Sequence, residues 1–143
     1  MIAKVRMYST VLFLTIFLTG FISPPVSTVS KSTALVVMKV NDVWMVVDAA
    51  DKNNTKIKVK KKDTIIWEVE DTDAYFQFPA EIFDPVDQTD SLVNGYTKFI
   101  KDGHKLKLKI KGDAPSGTYE YAVFCTADGV FAKGGSPPKI VVE

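Results

Sequence analysis

Residues 105–125 read KLKLKIKGDAPSGTYEYAVFC, two strictly alternating runs on either side of a Gly, Asp and Pro break. In the first run Leu106, Leu108 and Ile110 share one face and the lysines share the other, as the period of two in a β-strand requires. The second run, opened by Gly117, puts Tyr119, Tyr121, Val123 and Cys125 on one face and Thr118, Glu120, Ala122 and Phe124 on the other. The first of these sets is the expected core face. Both runs are too short and too strictly alternating for an amphipathic helix, whose apolar positions recur every three to four residues.

The same pattern extends in both directions. Residues 56–60 (KIKVK) alternate strictly, and after a lysine and aspartate turn residues 64–70 (TIIWEVE) offer Ile66 or Trp67 to the core. We read this pair as a hairpin. Residues 34–40 and 43–48 are apolar strands on either side of Asn41 and Asp42, which form a tight turn or a bulge. The segment Gly134, Gly135, Ser136, Pro137, Pro138 excludes regular structure, and residues 139–143 (KIVVE) close the sheet. Residues 71–95 are less regular and hold room for one short helical turn. The expected fold class is all-β, an antiparallel Greek-key β-sandwich.

At 143 residues with 46% hydrophobic side chains, the chain has the material for one domain. Its 18 basic and 17 acidic residues are balanced, so no overall charge recruits nucleic acid. Residues 1–10 contain Lys4 and Arg6 and no acid, and residues 11–21 (VLFLTIFLTGF) are an uncharged apolar run. We therefore assign residues 1–30 as an export signal and residues 31–143 as the exported domain, periplasmic or extracellular. The competing assignment for residues 7–30 is an uncleaved membrane anchor. The lysine rows are expected to be solvated faces that discourage pairing at sheet edges.

The order of segments resembles the cupredoxins. Residues 59–78, VKKKDTIIWEVEDTDAYFQF, are similar to the family's strand, turn and tryptophan-bearing strand leading to its first histidine ligand. Residues 100–121, IKDGHKLKLKIKGDAPSGTYEY, resemble the paired strands that end in G-T-Y-x-Y before its cysteine ligand. The resemblance implies a cupredoxin-like sandwich over residues 34–143. It also implies a type 1 copper site, which needs a thiolate and two imidazoles, commonly with a thioether.

That ligand set is missing. His104 is the only histidine of the chain, and no methionine follows Met45. Eight residues after Trp67, where the family carries its first histidine, stands Tyr75. If Cys125 is matched to the family's cysteine, Asp128 and Lys133 stand at the second histidine and the methionine; counted from Gly117, the cysteine position holds Val123 instead. No catalytic, cofactor-binding or metal residue is therefore assigned, with Cys125 and His104 the alternative ligands of an atypical copper site.

A lone cysteine on a Tyr and Val face is expected to be a buried thiol. The acids Glu70, Asp71 and Asp73, and likewise Asp84, Asp87 and Asp90, lack the spacing of a calcium loop and are read as solvated. With one turn histidine and no phosphate-binding or zinc motif, the chain is not expected to be an enzyme. Tyr75, Phe76, Phe78, Phe83, Tyr96, Phe99, Phe124 and Phe131 are expected mostly to fill the core, with some surfacing near the end where copper would sit. The functional expectation is an exported binding or interaction module for an unknown protein or small-molecule partner, without nucleic acid and touching a membrane only through an N-terminal anchor. The alternative is a copper-binding or electron-transfer protein.

Overall fold

A computed structural model describes residues 29–85, 97–135 and 137–143. The leader assignment therefore lies almost entirely outside the described residues, as do Asp87, Asp90 and Tyr96. Among the described residues there are twelve strands: β1 Ser32–Val40, β2 Val43–Asp48, β3 Lys56–Val59, β4 Thr64–Val69, β5 Ala74–Gln77, β6 Phe83–Pro85, β7 Thr97–Ile100, β8 Lys105–Ile110, β9 Gly117–Glu120, β10 Ala122–Cys125, β11 Val130–Phe131 and β12 Lys139–Val142. One short 3-10 turn, Ala80–Ile82, precedes β6, within the irregular stretch where the sequence left room for it.

One layer is the five-stranded sheet β2-β1-β4-β8-β6. Its hairpin β1–β2 closes at Val40 and Val43. Asn41 and Asp42 both take positive φ, at 52° and 61°, which is the tight turn whose twist suits a hairpin and which Asn and Asp tolerate best among non-glycine residues. Strand β4 runs between β1, to which it is parallel, and β8, to which it is antiparallel. Its alternation puts Ile65, Trp67 and Val69 inward, so of the two registers offered by TIIWEVE the Trp67 register is the one adopted.

The second layer comprises the sheets β3-β12-β9 and β11-β10-β5-β7. Strands β9 and β10 follow one another with only Tyr121 between them, and the Tyr121 N–H donates to the Pro138 carbonyl at 3.0 Å. The two sheets thus adjoin along one line of chain. Side chains from both layers meet in a single core, with Leu35, Trp67 and Leu106 from the first and Phe76, Val123 and Ile140 from the second.

At its centre Trp67 meets Phe78 at 4.8 Å and Tyr121 at 5.9 Å between ring centroids. The Trp67 Nε1–H donates to the Tyr121 hydroxyl at 3.2 Å, so the two polar atoms that these rings carry into the core satisfy each other.

Between β2 and β9 every consecutive pair of strands lies in opposite layers. This corrects the hairpin expected from KIKVK and TIIWEVE. Strand β3 pairs with β12, β4 pairs with β1 and β8, and the turn joining them is an arch. Both strands point their apolar sets at the same core from opposite sides, which the alternation alone cannot distinguish from pairing within one sheet. The arch is held by the buried carboxylate of Asp63, which accepts from the Lys60 N–H at 2.9 Å and the Lys31 N–H at 2.8 Å.

The lysine rows divide between two roles. Those of β8 cannot guard an edge, because β8 is paired on both sides, and they line the solvent face, where Lys105 pairs with Glu68 at 3.1 Å. Strand β3 does stand at a sheet edge, with Lys56 and Lys58 exposed, as the expected protection of an edge requires.

Candidate functional site

The end of the sandwich at which the resemblance implies copper is built from the connections 70–73, 101–104 and 126–129. Backbone and carboxylate contacts tie them together. The Asp73 carbonyl accepts from the Thr126 N–H at 2.9 Å, the Asp73 carboxylate from the Asp102 N–H at 2.8 Å, and the Asp102 carboxylate from the Asp71 N–H at 2.8 Å. The Ala127 N–H donates to the Thr72 hydroxyl at 3.1 Å. Of the acids near Tyr75, Asp73 thus caps a loop N–H group through its carboxylate, while Asp71 takes part through its own N–H, which Asp102 caps.

The positions that the family uses for copper are otherwise occupied. Cys125 lies on the inward face of β10, fully buried. Burial, with the nearby Asp128 charge adding to it, pushes its thiol up to about 11, and a thiol that resists ionisation is a poor copper ligand. Tyr75 points outward and is exposed. Asp128 accepts from Trp44 Nε1–H at 2.7 Å and pairs with Lys39 at 2.6 Å. These two contacts hold its carboxyl below the usual carboxylate range. Lys133 joins the edge of β2, its N–H donating to the Trp44 carbonyl and its carbonyl accepting from the Val46 N–H, both at 2.8 Å.

Asp128 and Lys133 therefore fasten one layer to the other. His104 sits in the exposed turn before β8, its Nδ1 2.9 Å from the Asp102 carbonyl. Among the described residues no three His, Cys, Asp or Glu side chains converge as a metal site. The residues present do not fit type 1 copper, because the chain supplies one imidazole and its thiol faces the core.

A different surface stands out on the second layer. The cross-strand register aligns Phe131 with Phe124, Phe124 with Tyr75, and Tyr75 with Phe99. Their neighbours Ala132, Cys125, Ala74 and Ile100 are buried, so by alternation the four rings share the outer face. They form one row across β11, β10, β5 and β7.

Tyr75 and Phe99 lie 4.7 Å apart and Phe124 and Phe131 5.2 Å apart. Exposure is 52% at Tyr75, 41% at Phe99 and 64% at Phe131. Two positions along, Gln77 and Ala122 are cross-strand partners and help line a shallow groove of about 480 Å³, with Pro79, Glu81, Glu120 and Pro137 around them.

The aromatic residues thus divide. Phe76, Phe78 and Phe83 fill the core as expected, whereas the row faces water. Alternation in TYEYAVFC already turned Phe124 outward; that three more rings join it required knowing which strands are neighbours.

No protein-family model and no curated protein matches this chain. Among solved structures it is similar to an oxidised amicyanin mutant, at 17% identity and a TM-score of 0.43, covering 78% of this chain and 82% of that one. It is also similar to the Cu(I) form of another amicyanin mutant, at 16% identity and a TM-score of 0.43, covering 82% and 87%. The described residues form an all-β sandwich, and the chain, with one histidine, lacks the two imidazoles of a type 1 copper site.

Proposed function

We propose that this chain is an exported binding module, periplasmic or extracellular, that uses the sandwich as a rigid support and performs neither copper electron transfer nor catalysis. The observation that carries this reading is the exposed aromatic row. Rings set side by side on solvent are the exception in a folded domain, and a contiguous apolar strip bordered by polar groups is the usual mark of a contact surface. The leader of residues 1–30, basic and then apolar, supports export.

Two measurements on the mature domain test the reading. Cupric ion should produce no intense thiolate-to-copper absorption; an intense band lost in Cys125→Ser would establish copper handling instead. Anilinonaphthalene sulfonate should fluoresce with the native protein and lose most of that signal in Tyr75→Ser/Phe131→Ser. An unchanged signal, or none with the native protein, would remove the row as a binding surface.

A further inference from the structure

We propose that the outer face of the β11-β10-β5-β7 sheet binds a neutral carbohydrate chain, laid along the row Phe131, Phe124, Tyr75, Phe99 and continuing toward the groove beside it. This rests on the binding-module reading above and specifies its ligand.

Area is the first discriminator. At roughly 150–250 Å² for a whole aromatic side chain, the exposed fractions at Tyr75, Phe99 and Phe131 leave about 300 Å² of ring surface. A stable dimer needs about 800 Å² from each partner, of which these rings alone supply less than half. With strands about 4.8 Å apart, a row crossing four of them is about 14 Å long, a shape that suits a slender ligand lying across the strands.

Charge is the second discriminator. The groove that adjoins the row is bordered by the carboxylates of Glu81 and Glu120 and by the Gln77 amide. Carboxylates repel a phosphodiester or a sulfated chain. They would attract a basic peptide, but Glu120 already has a cation, Lys139 at 3.2 Å, which weakens both the repulsion and the attraction at that position and leaves lone pairs for hydroxyl donors.

A sugar ring has apolar C–H faces and a rim of hydroxyls. It therefore matches a strip of ring faces bordered by an amide and carboxylates, the general pattern of an apolar surface with a few placed polar groups. The rings are held by strand pairing and by each other, so little side-chain freedom is lost on binding.

The experiment uses the secreted chain in affinity electrophoresis through gels containing mixed-linkage glucan or xylan, and in pull-down on cellulose and on chitin, with heparin and a polylysine-binding control in parallel. The expected result is retention by at least one of the four neutral polysaccharides. Retention should fall at least tenfold in Tyr75→Ala and Phe131→Ala and severalfold in Gln77→Ala, with melting temperature near the parent's, and be unchanged in Lys107→Ala on the opposite layer. No retention by any of the four, or equal retention in the row variants, or preference for heparin or polylysine, overturns the carbohydrate assignment. If the dye signal of the row persists in that case, the binding-module reading stands and only the ligand class is wrong; if the dye signal is also absent, both fail.

Discussion

Strand β10 has two sides, and they show opposite uses of the same kind of side chain. Inward, Val123 and Cys125, continuing from Tyr121, are sealed against Trp67 and the β5 residues Ala74 and Phe76. Outward, Phe124 lies between Tyr75 and Phe131 in a row that water reaches. An aromatic ring on the inner side contributes to holding the layers together, whereas one on the outer side touches mainly its cross-strand neighbours. Equal hydrophobicity thus has unequal consequences, set by which face of the strand it occupies.

The largest effect that separates the two sides belongs to Trp67→Ala. It empties the centre of the core and strands the Tyr121 hydroxyl without its donor, so denaturant titration should show a loss of about 3–5 kcal/mol. A loss below about 1 kcal/mol would mean that the layers do not meet at this ring.

Next in size, Cys125→Ser should cost about 1–3 kcal/mol by placing a hydroxyl in an apolar site, and Cys125→Ala less. Ellman's reagent should label the native thiol only after denaturant is added. The pH dependence has a definite sign. The folded thiol is pushed up to about 11 from an ordinary value near 9. Between those values the folded state holds a proton that the unfolded state has released, and stability falls as pH rises. That component should be missing from Cys125→Ala in parallel melts; identical alkaline profiles would show that the thiol is not buried.

The smallest effect on stability should come from the outer side, where Tyr75→Ala or Phe131→Ala costs only about 0.2–1 kcal/mol, the scale of a cross-strand pair. A loss comparable to that of Trp67→Ala would mean that the row is a second core and not a surface.

Local sequence determined most strand faces. The alternation in KLKLKIK and TYEYAVFC, the Asn41–Asp42 turn and the inward Cys125 could each be read from residues a few positions apart, because a strand's period of two is a local property. The absence of a two-imidazole copper site was legible too, since one histidine cannot supply two ligands. What only the tertiary structure decided is which strands are neighbours. An arch and a hairpin present the same alternating pattern, so KIKVK and TIIWEVE could be assigned to opposite layers only once β3 was seen beside β12 and β4 between β1 and β8. The aromatic row is of the same kind. Its four members come from positions 75, 99, 124 and 131, and they become one surface because long-range backbone pairing sets them in register, a relation that no short-range pattern encodes.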